Sequence, residues 1–344
     1  MNPRLAHVRA GWLAVTPPRI RWLVDYSINE TDSRLHRGAL LLQIVGVGLP
    51  TWDYIVEAPF IPGQDSSIDV RLAARTGGGR VATALVTACR LGYDASLIGQ
   101  VSDDDIGRAI TDELRTEGVS VDFLDNGTGK DGPQSFIIVL PRGERTILYH
   151  EGQLSALRFS VQTFRLIERA NALMLEQGYH VLQPARVAAD AAVPVVCDIA
   201  YLNDEVFALA QLNAILIAGE SVLDGPTCHT AVEVVDTLVR EGARAAIVTL
   251  GHHGAVGRDG SGIHHVAAYR EGIVDTTGAG DVYRGAFTVG LLEGMDFQDA
   301  MKFAAIVAGL KCRAHGRSGI PGRDEVAQRM CDGDAPVTEG KNNC

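Results

Sequence analysis

The sequence predicts an α/β fold in which a doubly wound, mostly parallel central sheet is flanked by helices and carries a small β-sheet lid. Short, almost wholly apolar runs recur along the chain, as is typical of strands buried on both faces. Segments with helical periodicity lie between many of these runs. Two stretches of alternating polarity, at 53–76 and 121–135, interrupt this order and predict an accessory sheet.

The predicted strands of the main sheet are short and are mostly separated by helical segments. This alternation favours parallel pairing, because a parallel connection needs a crossover and a helix usually supplies it. In chain order, these predicted strands are 41–48, 95–100, 136–140, 172–175, 193–198, 214–218 and 245–250.

The predicted helices are marked by apolar residues three or four positions apart. Gly118 closes the second of them, as glycine commonly does just after a helix. The predicted helices cover 81–91, 106–114, 282–292 and 300–308.

Composition excludes several classes of protein. The 344 residues are 46% hydrophobic and 21% charged, which is globular rather than disordered. A net charge of −11 argues against a nucleic-acid surface, and charged residues interrupt every apolar run that would have to span a membrane. None of the six cysteines forms a CxxC pair, so we expect no zinc ribbon, and we expect a reduced, cytoplasmic protein.

The chain before residue 39 has a different character from the rest. It contains Pro17, Pro18 and several arginines, and it shows no clear periodicity. We therefore predict that residues 1–38 form a poorly ordered N-terminal extension, which takes no part in the fold prediction.

The segment 274–287 carries the strongest chemical signal. Its small-residue loop, Thr276–Gly280, is predicted to open a helix, and backbone N–H groups at a helix N-terminus bind anions. Asp281 would lie in the first turn, where its carboxylate could accept a proton from a hydroxyl that attacks a phosphoryl group. Taken alone, the same residues also fit a simple turn and helix cap.

Segment 275–281 (Asp-Thr-Thr-Gly-Ala-Gly-Asp) strongly resembles the C-terminal signature of the ribokinase-like (PfkB) sugar kinase family. The resemblance continues in other segments and extends from residue 43 to about 329. These segments are 76–84 with Leu91-Gly92, 98–107, 143–146 and 248–254.

The resemblance implies an enzyme that transfers the γ-phosphoryl group of ATP to a hydroxyl of a sugar or a related molecule. Asp281 would be the general base, and the N–H groups of Gly278, Ala279 and Gly280 would stabilise the charge of the transferred group.

The sugar and nucleotide sites also follow from the resemblance. It implies that Asp53, Gly78, Gly79 and Thr83 contact the sugar. The residues implied for the nucleotide are Thr249, Gly251, Gly254 and Glu220.

The metal sites are less regular. Many members carry Asn-x-x-Glu for Mg²⁺; here the Asn is missing, and Glu220 would act through a water molecule. Asp275, the carbonyl of Thr277 and Ser318, in the loop 316–319, match a monovalent-cation site of some members, so we expect K⁺ there. Glu176 is a second acid expected near the ATP phosphates.

Arg284 departs from ribokinase, which typically has Asn there. It lies three positions after Asp281 and so shares its helix face, where it could bind a sulfonate, carboxylate or phosphate. We therefore expect a ketose or an anionic sugar derivative as the substrate. The alternative is that Arg284 pairs with a structural acid. Segments 77–83 and 316–322 look nearer to the ketohexokinase and sulfofructose kinase branch.

The resemblance implies a domain organisation with a ribokinase-like kinase domain at 39–332, a lid from 53–76 and 121–135, and a C-terminal tail at 333–344. Such a lid often pairs between subunits, so we expect a homodimer that forms through the lid. Two other functions stay open. One is a nucleoside kinase, although the lid's Tyr54, Phe60 and Phe123 form no clear aromatic cluster; the other is a non-catalytic sugar or nucleotide sensor.

Overall fold

The strands of the described residues form two sheets. A computed structural model describes residues 42–331 apart from 127, 128, 130 and 155, so the predicted extension 1–38 and tail 333–344 lie outside the described residues. The strands within the described residues are β1 (Gln43–Val47), β2 (Thr51–Glu57), β3 (Leu72–Gly78), β4 (Asp94–Val101), β5 (Val119–Asn126), β6 (Gln134–Val139), β7 (Arg145–His150), β8 (Ala172–Glu176), β9 (Val195–Ile199), β10 (Ile215–Gly219), β11 (Ala245–Thr249), β12 (Ala255–Asp259) and β13 (Gly262–Val266).

The main sheet has nine strands in the order β13-β12-β11-β10-β9-β8-β1-β4-β5. Neighbours from β11 to β5 are parallel, and β12 and β13 add an antiparallel pair at one edge. The prediction of a mostly parallel sheet is confirmed.

Helices cover both faces of this sheet. One buried apolar cluster packs α1, α2, α7 and α8 against one face, and a second packs α3 to α6 against the other. This arrangement explains why the strands are almost continuously apolar. The described helices are α1 (Arg80–Arg90), α2 (Asp105–Thr116), α3 (Val161–Glu168), α4 (Leu182–Asp190), α5 (Asp204–Gln211), α6 (Ala231–Arg240), α7 (Ala279–Leu292), α8 (Phe297–Lys311) and α9 (Arg323–Cys331).

A second sheet, the lid sheet, has four strands in the order β3-β2-β6-β7. It corrects two strand assignments. Residues 136–140, predicted for the main sheet, lie largely in β6, because β7 follows at once with no crossover helix between them. Residues 121–126, predicted for the lid, belong to β5, which pairs in parallel with β4 after the crossover helix α2.

The order of the main sheet reverses at β1. The chain goes from β1 to β4 and β5 on one side and later returns to β8 on the other side. In open α/β sheets, ligands bind outside the carboxyl ends of the strands at such a reversal. Glu176 ends β8 and Asp198 lies near the end of β9, so both acids lie at this edge. None of the described helices is long and apolar enough to cross a bilayer.

Candidate active site

A cavity of about 540 Å³ lies between the carboxyl edge of the main sheet and the lid sheet. Its lining is rich in charged side chains of both signs, which suits a small polar ligand. The charged residues in the lining are Asp53, Glu176, Asp281, Arg80, Arg145, Lys311 and Arg317.

One wall of the cavity is the loop that opens α7, here called the anion loop (275–280). Gly278 caps the helix with φ 74°, a left-handed conformation that glycine adopts without strain. The first N–H groups of α7 have no intrahelical acceptor, so this helix end can hold an anion. Asp281 lies in the first turn and lines the same cavity as Gly278 and Thr277. The structure thus brings the predicted base and the predicted anion site together.

Asp281 is the last member of a series of hydrogen-bonded acidic and basic side chains that alternate in charge. The guanidinium of Arg284 donates to the carboxylate of Asp281, and its Nη1 donates to Oδ1 of Asp198 at 2.6 Å. The Nη1 of Arg80 donates to the other oxygen of Asp198 at 3.1 Å. Sequence reasoning missed Asp198, because nothing local distinguishes an acid near a strand end that lies 86 residues from its partner.

Arg284 is not placed to meet the substrate. Its side chain is 9% exposed, and the residue is absent from the lining of the cavity. The expected contact with an anionic substrate is therefore corrected in favour of the alternative, a pairing with acids. The reason is that Asp198 of β9, which is itself buried, holds one arm of the Arg284 guanidinium while Asp281 holds the other.

Burial controls the acidity of Asp281. Burial raises the pKa of Asp281 above its ordinary value, and the charge of Arg284 partly offsets this effect. A carboxylate with a raised pKa is a stronger base once it is ionised.

Glu176 is the second acid of the cavity. Its Oε1 accepts a hydrogen bond of 2.8 Å from the N–H of Leu49, and burial raises its pKa to about 7. The structure places it in the same cavity as Asp53, on the sheet side.

Asp53 lies on β2 of the lid sheet and faces the cavity. Its Oδ1 accepts a hydrogen bond of 2.8 Å from the hydroxyl of Thr51, and burial raises its pKa despite such bonds. A Cβ on Gly78 would come within 2.2 Å of the Asp53 carboxylate, so this close approach requires glycine.

The other predicted sugar contacts surround an arginine that the sequence did not indicate. Arg317, 4% exposed, donates to the carbonyl of Gly78 at 2.6 Å and to the hydroxyl of Thr83 at 3.1 Å. It also pairs with Glu113 at 2.6 Å. Thr83 and Gly79 line the cavity, but the hydroxyl of Thr83 already accepts from Arg317.

The residues predicted for the nucleotide lie farther along the same edge. Thr249 ends β11 and pairs with Gly219, which Glu220 follows in an exposed position. Gly251 begins the turn after β11, and Gly254 is buried. β11 is two strands from β9, or about 10 Å at the usual strand spacing.

The predicted K⁺ site does not fit its residues. The Nζ of Lys311 lies 3.0 Å from the carbonyl oxygen of Asp275 and 3.8 Å from its Oδ2. Ser318 is exposed, and its hydroxyl donates to the carbonyl of His315. Nothing in the sequence indicated this arrangement, since a lysine at the end of an apolar helix normally faces solvent. Within the described part of the chain, no cluster of three or more His, Cys, Asp or Glu side chains could hold a metal ion.

Comparison with known proteins extends these observations. Residues 43–321 match the family described as pfkB family carbohydrate kinase. Over 296 residues, the chain is 28% identical to ribokinase of Bacillus subtilis, covering 83% of this chain and 98% of that one. It is 26% identical to 5-dehydro-2-deoxygluconokinase of the same organism, covering 73% and 85%. The structure of Arabidopsis thaliana ribokinase complexed with ribose and ATP has the same fold, with a TM-score of 0.71, 22% identity, and 84% and 98% of the two chains covered.

Proposed function

The chain belongs to the pfkB family of carbohydrate kinases and is an ATP-dependent sugar kinase, and we propose that Asp281 is its general base. The observation that carries this proposal is the position of the Asp281 carboxylate, in the first turn of α7 and in one cavity with the anion loop. A base beside the N–H groups of a helix N-terminus is what phosphoryl transfer to a hydroxyl needs.

The proposed chemistry is a direct transfer. The carboxylate of Asp281 accepts the proton of a sugar hydroxyl as the hydroxyl oxygen attacks the γ-phosphorus and the bond to the β-phosphate oxygen breaks. The N–H groups of Gly278, Ala279 and Gly280 stabilise the negative charge on the transferred group. Arg284 acts through Asp281: it orients the carboxylate, and its charge opposes the rise in the pKa of Asp281 that burial causes.

The lid sheet is fastened to the anion loop. Arg145 of β7 donates to the hydroxyl of Thr276 at 3.0 Å, and that hydroxyl donates to the carbonyl of Gly143 at 2.8 Å. These contacts support a lid that closes over the sugar and excludes water from the reaction.

We assign the sugar hydroxyls to two further acids of the cavity, including Glu176, which the sequence led us to expect near the ATP phosphates and which lies close enough to Arg80 and Asp281 for their charges to affect its pKa. Asp53 and Glu176 both line the cavity, and an ionised carboxylate accepts hydrogen bonds from hydroxyl groups. Gly78 and Gly79 let the backbone approach the sugar, while Thr83 shapes the wall.

The nucleotide site is proposed at the ends of β10 and β11, with Thr249, Gly251 and Gly254 along the phosphates. Glu220 is exposed there, and a single carboxylate suits Mg²⁺, which keeps several waters and binds substrate phosphates. Mg²⁺ held in this way would neutralise charge on the phosphoryl groups.

For the substrate we propose a ketose or an anionic sugar derivative. The support now comes from Arg145 and Arg80, which line the cavity, instead of Arg284. No carboxylate among the described residues forms an ion pair with Arg145, so its guanidinium can meet a carboxylate, sulfonate or phosphate of the substrate.

The lid also supports the proposed homodimer. Tyr54, Phe136 and Leu148 are aligned across β2, β6 and β7 on the face away from the cavity, and Phe136 and Leu148 are 45% and 59% exposed. Exposed apolar side chains that lie side by side on one face of a sheet are typical of a subunit interface.

The test is ADP release in a coupled assay with MgATP across neutral ketoses, aldoses, anionic sugars and nucleosides. Release that depends on a sugar supports the proposal, and the preferred substrate identifies the class. Preference for a nucleoside would favour the alternative kinase. Binding of ATP without release from any candidate would favour a sensor and contradict the proposal.

A further inference from the structure

Lys311 is a buried cation beneath the anion loop. It ends α8, its side chain is 1% exposed, and it is among the largest fully buried side chains of the described residues. Its Nζ donates to the carbonyl oxygen of Asp275 at 3.0 Å and lies 3.8 Å from the Asp275 carboxylate.

Asp275 connects this ammonium to the loop. Its Oδ1 accepts from the N–H of Thr277 at 2.8 Å, and its Oδ2 accepts from the N–H of Gly316 at 2.9 Å. The N–H groups of Val274 and Asp275 both donate to the carbonyl of Cys312, at 2.7 and 3.1 Å. The end of α8 therefore fixes the start of the anion loop through backbone and side chain alike.

The charges of this pair are mutually dependent. Burial by itself would raise the pKa of Asp275, but Lys311 and the hydrogen bonds to the carboxylate hold that pKa below its ordinary value. Burial lowers the pKa of Lys311, and Asp275 opposes that effect. Removing one partner would leave an uncompensated buried charge, which is strongly destabilising.

We propose that Lys311 is a positioning residue that serves as a built-in cation, so that the anion loop is ordered without a bound monovalent ion. This inference rests on the proposed sugar kinase function and concerns how its catalytic loop is held. It states that the kinase does not depend on K⁺, contrary to the expectation from the sequence.

The geometry leaves no equivalent position for a second cation. A potassium ion that used the carbonyl and carboxylate of Asp275 would have to share both oxygens with the ammonium of Lys311, which lies 3.0 Å from the first and 3.8 Å from the second. Two positive charges so near to each other repel strongly where bulk water does not screen them. The same oxygen atoms are already satisfied by Lys311, Thr277 and Gly316.

The first measurement uses the wild-type enzyme and its preferred sugar, in buffer containing only tetramethylammonium and Mg²⁺. We expect kcat and KM to stay the same when K⁺, Rb⁺ or NH₄⁺ is added. A wild-type enzyme that is active only with K⁺ would overturn the inference but leave the kinase function intact. No phosphoryl transfer with any sugar, even with K⁺, would instead contradict the proposed function.

The second measurement uses Lys311→Met, which keeps length and apolar volume but removes the charge. We expect kcat to fall about 10- to 100-fold, as for a displaced catalytic group, and to recover in part with NH₄⁺ or K⁺. The matched control is Lys302→Met, because Lys302 is on the same helix but binds Asp299 at the surface. It should not change kcat or cation dependence.

A third measurement does not involve activity. Crystals soaked in RbCl should show no anomalous peak at Asp275 in the wild type and a peak there in Lys311→Met. A rubidium peak at Asp275 in the wild type would overturn the inference. If Lys311→Met does not fold, the cation dependence and the anomalous map of the wild type still test the inference that Lys311 replaces a bound monovalent ion.

Discussion

Arg284 and Asp281 lie one turn apart on α7, and the guanidinium of Arg284 donates directly to the Asp281 carboxylate. Its other arm donates to Asp198 at 2.6 Å, so the arginine cannot rotate toward the cavity without losing a buried partner. Arg284, which the sequence indicated as a substrate contact, therefore binds the carboxylate of the proposed base instead. The charge of Arg284 also opposes the effect of burial, which raises the pKa of Asp281.

The base itself is tested by Asp281→Asn. The amide keeps the size of the side chain but cannot take the hydroxyl proton, so we expect kcat to fall by about 10² to 10⁴. Binding of sugar and ATP, measured by calorimetry, should persist. Turnover equal to that of the wild type would show that another group is the base.

The role of Arg284 is tested by the pH profile of Arg284→Met. Arg284 lowers the pKa of Asp281 against the effect of burial, so its removal should raise that pKa further. Because the base must be ionised, the acid limb of kcat/KM should move to higher pH. Arg284→Lys retains the charge and should shift the limb less. An unchanged acid limb in Arg284→Met would contradict this positioning role.

Glu176 should make stability depend on pH. Its pKa is about 7 in the folded protein, against an ordinary value of 4.5. The folded state thus keeps a proton that the unfolded state loses, so stability falls as pH rises from about 4.5 to 7 and then levels off. The shift corresponds to about 3 kcal/mol.

The variant Glu176→Gln stays neutral at every pH and can still accept from the N–H of Leu49. The free energy of unfolding of the variant minus that of the wild type should be larger at pH 8 than at pH 5, by up to about 3 kcal/mol. Urea denaturation at the two pH values measures this difference. If the free energies of unfolding of the variant and the wild type differ by the same amount at both pH values, Glu176 has an ordinary pKa.

Arg145→Gln tests the proposed substrate class. Loss of a charge-assisted hydrogen bond should raise KM for an anionic sugar about 10- to 100-fold, with a much smaller change for neutral sugars. Arg142→Gln is the control, because Arg142 is exposed in the same β6–β7 turn but does not line the cavity. Equal losses on neutral and anionic sugars would assign Arg145 to lid closure alone.

The lid dimer is tested by Phe136→Asp together with Leu148→Asp. Both side chains are exposed on the outer face of the lid sheet, so charges there should favour the monomer without disturbing the core. Sedimentation velocity measures the outcome. Val161→Asp, at an equally exposed apolar position on α3, should leave the oligomeric state unchanged. A wild-type protein that is monomeric at all concentrations would contradict the proposal.

The sequence by itself determined the features that depend on short spacing. Apolar runs gave the buried strands, the helical period gave α1, α2, α7 and α8, and the small-residue loop before Asp281 indicated an anion site. These predictions agree with the structure because strand burial, helix faces and helix ends each depend on residues that are close together in the sequence. The family resemblance rested on the same local motifs.

Tertiary structure alone decided the partners of the charged groups and the sheet to which each strand belongs. Asp198 meets Arg284 across 86 residues, and Lys311 meets Asp275 across 36. The run 136–140 is as apolar as a core strand, yet it pairs with β2 and β7 in the lid sheet. Composition cannot specify such pairings. The free energy of burying a charged side chain depends on whether the fold places an opposite charge next to it, and residues distant in the sequence supply that charge.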